Sequence, residues 1–231
     1  MSFSENSLPE KYFVIDFENT GGSLWSGHMI TAYGICIVEK IDDKYEITNT
    51  YMNYINPQRE IPKFIEDLIG IKTDDVNNDK YPIIADEFEK IEELITDDMV
   101  FTAHSVAVDY SMFNYHYFNK YGRDFKTLAL DTCILAKKIL KLERAGISNA
   151  ALYFGLAGKH HQPDFDAFVA AKILIKSLEL TETNEDYLKI FKASLKKYPT
   201  KKHIKKTTKQ EKLYKEQIEY ETRYNVRFPR T

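Results

Sequence analysis

The chain has 231 residues, of which 43% are hydrophobic and 29% are charged. This composition is typical of one globular domain of ordinary size, or of one domain with an appendage. Its two cysteines, Cys36 and Cys133, stand far apart in apolar sequence, which argues against a disulfide framework or a zinc site. No apolar run approaches the roughly 18 residues that a membrane span requires, and the first residues lack a signal-peptide pattern. We therefore expect a cytoplasmic protein without membrane contacts.

The net charge of −3 conceals an asymmetry along the chain. Residues 189–231 contain 14 Lys and Arg against 4 Asp and Glu, whereas residues 1–188 contain 18 and 31, so the net charges are about +10 and about −13. We predict a folded body over residues 1–182 and a basic, helical and partly flexible tail over residues 183–231. Two roles remain open for this tail, a solvated end or a contact with nucleic acid or protein.

The pattern along the body predicts strands first and alternating strands and helices afterwards. A strand that contains Asp16 is followed by two β-type runs, and a later series of helices is interrupted by two short strands. The predicted strands after the first are 29–39, 45–55, 99–103 and 128–130, and the predicted helices are 61–70, 84–95, 110–121, 132–142, 148–154, 164–178, 184–197 and 210–224. Residues 74–82 are predicted as a loop and 201–209 as a basic linker. This order indicates an α/β fold, with a mixed five-stranded sheet flanked by helices.

Two acidic residues, Asp16 and Glu18, stand two positions apart in the first predicted strand. Because side chains alternate along a strand, both carboxylates project from one face, with their roots roughly 6.5 Å apart. Carboxylates this close repel one another when ionised, and such a pair usually needs a cation. The pair predicts a metal site, with two solvated acids at a strand end as the alternative.

Three further residues, Asp109, His161 and Asp166, stand where folding of the chain would bring them to this strand. Asp109 follows a predicted strand and begins a helix, a position over the carboxyl edge of the sheet. His161 and Asp166 flank Pro163, which suits the first turn of a helix. The adjacent His160 stands one residue further from Asp166, and we prefer His161.

Taken together, these motifs resemble the DEDD superfamily of 3′→5′ exonucleases, in its histidine-containing DEDDh branch, and most closely the group of the DNA polymerase III epsilon proofreading subunit. The three motifs read DFENTG at 16–21, HSVAVD at 104–109 and HQPDFDA at 161–167. They stand in the order found in the family, and the resemblance covers roughly residues 10 to 180.

The chain departs from the family pattern at three positions. Ser105 stands where the family usually has Asn, Val108 replaces an aromatic residue, and Asn19 replaces a common Thr. Every carboxylate and the motif histidine are retained.

The resemblance implies a ribonuclease H-like fold and a site for two divalent cations, Mg²⁺ or Mn²⁺. Asp16 would bridge the two ions, Glu18 and Asp166 would bind the ion on the side of the nucleophile, and Asp109 would hold the second ion through water. His161 would be the general base, because an imidazole can accept a proton at neutral pH.

The resemblance also implies contacts with the terminal nucleotide. The free 3′ hydroxyl would lie near the backbone of residues 18–20, and we include Asn19, Thr20, Trp25 and His104 as candidate substrate-binding residues. Trp25 has base stacking and packing as equal alternatives. For His104, a structural hydrogen bond to backbone is the stronger alternative.

We therefore expect a two-metal-ion 3′→5′ exonuclease that releases nucleoside 5′-monophosphates from single-stranded or frayed 3′ ends, with DNA favoured over RNA. The alternatives are a 3′→5′ exoribonuclease and a catalytically weak nucleic-acid-binding subunit of a polymerase or repair assembly. In each case the expected partner is nucleic acid with a free 3′ end.

Overall fold

The framework of the protein is one sheet of six strands, seen in a computed structural model that describes residues 8–158 and 161–202. In chain order the strands are β1 (Lys11–Asn19), β2 (Ile30–Ile41), β3 (Lys44–Tyr54), β4 (Met99–Ala103), β5 (Thr127–Asp131) and β6 (Lys196–Tyr198). Their order across the sheet is β3-β2-β1-β4-β5-β6. The β1–β4 and β4–β5 pairs are parallel, and the other neighbours are antiparallel.

Helices pack on both faces of this sheet. They are α1 (Lys63–Ile69), α2 (Thr73–Val76), α3 (Ile84–Glu93), α4 (Ala107–Tyr121), α5 (Thr132–Lys138), α6 (Ile147–Tyr153), α7 (Pro163–Glu182) and α8 (Glu185–Ser194), with a 3-10 helix at Leu24–Ser26. One face of the sheet packs on α3 and α4, and the opposite face packs on α5, α6, α7 and α8. The predicted α/β fold with a mixed, helix-flanked sheet is confirmed.

The central strand β1 separates the two cores because its side chains alternate. Phe13, Ile15 and Phe17 enter the core on the α3–α4 side. Tyr12 and Val14 enter the core beneath α7. By the same alternation, Asp16 and Glu18 project from the α7 face, so the acidic pair lies at the end of a buried strand.

The predicted number of five strands is wrong, because β6 adds a sixth. We expected one helix over 184–197, but α8 ends at Ser194 and Leu195 is extended, after which three residues pair antiparallel with β5. A strand of three residues carries no alternation pattern, so only pairing with a distant part of the chain reveals it. Similarly, the loop predicted at 74–82 begins with three residues of the short helix α2.

Part of the segment that we assigned to the tail packs on the body. Phe191 of α8 is fully buried in the core beneath α7, and β6 extends the sheet. The boundary at residue 182 stays a prediction, and the helix predicted over 210–224 lies outside the described residues. Within the described part of the chain, none of the helices combines the length and the apolar character needed to cross a membrane.

Candidate active site

The acidic pair occupies the part of β1 that extends beyond its neighbour β4. Parallel pairing with β4 ends at Val14, so the backbone of β1 after that point has no strand partner on this side. Asp109, in the first turn of α4, fills the gap: its Oδ1 accepts a hydrogen bond from the backbone N–H of Phe17 at 3.0 Å. Since Phe17 separates Asp16 from Glu18, this bond fixes the third carboxylate beside the pair.

The N-terminus of α7 brings the fourth carboxylate and the histidine. Pro163 begins this helix, and Asp166 lies in its first turn, only 6% exposed. Asp166 Oδ2 accepts a hydrogen bond from the backbone N–H of His161 at 3.0 Å. His161 has a positive φ of 60°, and its Nδ1 lies 3.7 Å from Glu18 Oε1. One ligand atom each from Glu18, His161 and Asp166 lies within 4.8 Å of the others.

A glycine allows α7 to approach the sheet at this point. Gly34 of β2 pairs directly with Asp16 of β1. A Cβ atom at Gly34 would overlap the carbonyl of Pro163 and the backbone nitrogen of Asp164. The first turn of α7, which carries Asp166, therefore rests on bare backbone next to Asp16.

Burial and mutual repulsion both favour protonation of these carboxylates. The pKa of Glu18 is raised to about 8, first by burial and then by the charges of Asp166 and Asp109. Burial also raises the pKa of Asp16 well above its usual range, and the charges of its three acidic neighbours add to this effect. The pKa of Asp109 is raised by burial, against the opposing effect of its hydrogen bond from Phe17. The site thus holds more negative charge than it can stabilise alone.

This donor set fits divalent cations. Four carboxylates and one imidazole offer mostly hard oxygen ligands, which Mg²⁺ and Mn²⁺ prefer. A bound cation would also relieve the repulsion that raises the pKa values of Glu18 and Asp16.

The four candidate substrate-binding residues make different contacts within the protein. Thr20 is fully buried, and its Oγ1 accepts a hydrogen bond from the backbone N–H of Met29 at 3.1 Å. Asn19 Oδ1 accepts from the backbone N–H of Gly21 at 2.6 Å. Both side chains shape the turn after β1, and their roles as substrate-binding residues stay predictions.

Trp25 and His104 contact structural neighbours. The ring of Trp25 packs edge-on against Tyr115 at 4.7 Å and near Phe118 at 5.8 Å between ring centroids. His104 Nδ1 lies 3.0 Å from Thr132 Oγ1. Their contacts are those of packing and of a structural hydrogen bond, and their roles as substrate-binding residues stay predictions. His160, the alternative to His161, lies outside the described residues.

Asp131 holds the corner before Asp109, a role that the sequence motifs did not indicate. Its Oδ1 accepts hydrogen bonds from the backbone N–H groups of Ser105 at 3.0 Å and Cys133 at 2.9 Å. It thereby caps α5 and supports Ser105, which has a positive φ of 70°. An Asp directly before a predicted helix is an N-cap signal that could have indicated this role.

Comparison with known proteins shows the family of this chain. Residues 13–174 match the sequence model of the RNase_T family, which is described as an exonuclease. The 3′-5′ exonuclease DinG of Bacillus subtilis is 29% identical over 174 residues, which cover 74% of this chain and 18% of that protein. The DNA polymerase III subunit epsilon of Aquifex aeolicus is 26% identical over 181 residues, covering 78% of this chain and 86% of that protein.

Solved structures share the fold. The nuclease domain of 3′hExo, described as a DEDDh family member bound to rAMP, has a TM-score of 0.59 at 19% identity, covering 75% of this chain and 94% of that one. Exonuclease I of E. coli in complex with a dT13 oligonucleotide has a TM-score of 0.62 at 12% identity, covering 78% and 43%. The ribonuclease H-like fold expected from the sequence is confirmed. The chain belongs to the RNase_T exonuclease family, and it is a nuclease domain of a family that generally uses divalent metal ions.

Proposed function

We propose that this chain is a two-metal-ion 3′→5′ exonuclease that releases nucleoside 5′-monophosphates from single-stranded or frayed 3′ ends, with DNA favoured over RNA. The observation that carries the proposal is the convergence of Glu18, His161 and Asp166 within 4.8 Å, beside Asp16 and the Asp109–Phe17 hydrogen bond. DinG of Bacillus subtilis is named a 3′-5′ exonuclease, and the similarity of this chain to DinG supports the direction of cleavage.

The four carboxylates are the groups that would hold two divalent cations, Mg²⁺ or Mn²⁺. When bound, such ions supply positive charge that offsets the carboxylates and attracts the scissile phosphate. The chain contributes the geometry: Asp109 is fixed by Phe17 and Asp166 by the backbone of His161. Ligands held in this way need little rearrangement to bind.

In the proposed reaction, the oxygen of water bonds to the terminal phosphorus while the bond from phosphorus to the preceding 3′ oxygen breaks. The imidazole of His161 accepts a proton from this water, and the leaving 3′ oxygen is protonated from solvent. His161 suits this role because its side chain is 44% exposed while its backbone is fixed to Asp166. The imidazole can therefore return its proton to solvent after each turnover.

The test is an assay on the full chain with Mg²⁺ or Mn²⁺ and three 5′-labelled substrates: single-stranded DNA, single-stranded RNA and a duplex with a mismatched 3′ end. The proposal expects a ladder that shortens from the 3′ end and no ladder from the Asp16→Asn variant. Binding without cleavage of any substrate would overturn it in favour of a nucleic-acid-binding subunit, an alternative that the similarity to a polymerase subunit keeps open. Faster cleavage of RNA would favour an exoribonuclease.

We also propose that the basic tail contributes to binding of long strands. Deleting residues 201–231 should weaken salt-sensitive binding of long substrates while leaving turnover of a dinucleotide intact. Unchanged affinity for long strands would contradict this role.

A further inference from the structure

A single arginine lies at the edge of the sheet that carries the carboxylates. Glu18 of β1 pairs with Ala32 of β2, which pairs in turn with Tyr54 of β3. The end of β3 is thus level with Glu18 and two strands away, about 10 Å across the sheet. The chain that follows β3 emerges at this edge and carries Arg59, the only arginine among residues 1–122.

Arg59 is anchored to the loop that connects β1 and β2. Its Nη1 donates a hydrogen bond to the carbonyl oxygen of Gly27. The next residue, His28, donates from Nδ1 to the carbonyl oxygen of Thr20 at 3.0 Å, and the backbone N–H of Thr20 donates to the carbonyl of Met29 at 2.9 Å. The guanidinium is therefore tied, through two short links, to the end of the strand that carries Asp16 and Glu18.

The charge of Arg59 has no carboxylate partner within the described part of the chain, where Gly27 is the acceptor found for its guanidinium. By contrast, the neighbouring Lys63 pairs with Asp67 at 2.8 Å and with Glu66 at 3.6 Å. A guanidinium has five N–H donors, and the carbonyl oxygen of Gly27 accepts a hydrogen bond from one of its nitrogens. The side chain is partly exposed, so the remaining donors can reach a ligand.

We propose that Arg59 is a substrate-binding residue that contacts a backbone phosphate of the strand whose 3′ end enters the carboxylate site. A guanidinium fork matches phosphate oxygens and forms charge-assisted hydrogen bonds with them. The body of the protein carries a net charge of about −13 over residues 1–188, which repels a nucleic acid. A cation anchored to the loop between β1 and β2, without a carboxylate partner among the described residues, offsets this repulsion locally. The inference rests on the proposed exonuclease function.

The test measures binding rather than turnover. The full chain is titrated, with Ca²⁺ present, into a fluorescent oligothymidylate whose 3′-terminal linkages are phosphorothioates, and the anisotropy is followed at several salt concentrations. For Arg59→Gln we expect roughly tenfold weaker binding at low salt, because one charge-assisted hydrogen bond to the phosphate is lost. The slope of log K against log salt should become less steep by about 0.7, the value for one phosphate contact on a single strand.

Arg123→Gln is the matched control. The guanidinium of Arg123 packs over the rings of Tyr117 and Tyr121 at the end of α4, and this variant should bind as the wild type does. Arg59→Lys keeps the charge but not the fork, and it should retain the wild-type slope with weaker binding.

Three outcomes would overturn the inference: an unchanged salt slope in Arg59→Gln, weaker binding that is independent of salt and accompanied by a lower Tm, and no binding by the wild type. The second outcome would mean that Arg59 only braces the loop. If Arg59→Gln shows the expected slope but the wild type cleaves nothing, the exonuclease proposal fails and the phosphate contact stands.

Discussion

The carboxylate of Asp109 accepts a hydrogen bond from the backbone N–H of Phe17 at 3.0 Å, across 92 positions of sequence. The bond joins the first turn of α4 to the part of β1 that has no strand partner on that side. It therefore has two separable roles, since it satisfies a buried backbone donor and it fixes an acidic ligand.

Substitutions at Asp109 should separate these roles. In Asp109→Asn the side-chain carbonyl can still accept from Phe17, so we expect Tm close to that of the wild type but a large loss of turnover. Asp109→Ala leaves the N–H of Phe17 without its acceptor, and we expect a loss of about 1–3 kcal/mol of unfolding free energy. Urea denaturation of both variants without metal checks this, and equal stability of the two would contradict a structural role for the bond.

The acids nearest His161 should be essential for turnover. Glu18→Gln and Asp166→Asn each remove one charge from the three-residue cluster, and we expect a fall in kcat of roughly 10³-fold or more with metal at saturation. The matched control is Glu179→Gln, an exposed position on the same helix as Asp166. Loss of activity in Glu179→Gln equal to that of Glu18→Gln would show that the effect is not specific to the site.

The metal-free protein should lose stability as the pH rises. The folded pKa of Glu18 is about 8, above its ordinary value of 4.5, so between these values the folded state retains a proton that the unfolded chain has released. The contribution of this proton to the free energy of unfolding is fully present below about pH 4.5. It is lost as the pH rises through about 8, by at most about 1.4 kcal/mol per pH unit. Thermal unfolding in EDTA measures this.

Two comparisons make the pH prediction specific to the site. Glu18→Gln, which cannot ionise, should show a weaker fall in Tm over the same pH interval. Addition of Mg²⁺ or Mn²⁺ should raise Tm of the wild type more at pH 8 than at pH 6, because the cation binds the ionised carboxylates. Parallel curves for the wild type and Glu18→Gln would refute the assignment of this titration.

The sequence was sufficient to predict that Asp16 and Glu18 share a face, because this follows from the two-residue period of a strand. Pro163 likewise predicts that Asp166 lies in the first turn of a helix, whereas the approach of Asp109, His161 and Asp166 to the pair was expected from the order of the family motifs. The Asp109–Phe17 bond did not follow, because it depends on where pairing between β1 and β4 ends. The contact of Arg59 with Gly27 and the strand β6 likewise depend on segments that are distant in sequence.

Ser105 illustrates a position where the sequence identified a departure and the structure gives its cost. It stands where the family usually has Asn, and its φ of 70° lies in the left-handed region that Asn adopts more readily than Ser. Ser105→Asn should therefore stabilise the protein by roughly 0.5–1 kcal/mol, a rise in Tm of about 1–4 °C for a chain of this size. The control is Ser148→Asn, on the exposed surface of α6, for which we expect no gain. A lower Tm in Ser105→Asn would contradict this explanation.

Gly34 allows the first turn of α7 to lie against β2, next to Asp16. Its replacement should therefore lower both stability and activity. In Gly34→Ala the new methyl group would overlap the backbone at Pro163 and Asp164, and rigid backbone cannot move aside as a flexible side chain can. Either α7 shifts away from β2, which moves Asp166 away from Asp16, or the strands separate. We expect a loss of about 1–3 kcal/mol in unfolding free energy and a fall in kcat, with weaker metal binding.

Gly146→Ala is the matched control, since its φ is −70° and the nearest atom to an added Cβ is 4.0 Å away. Should Gly34→Ala retain both Tm and kcat, the close approach of α7 to β2 would not be what positions Asp166.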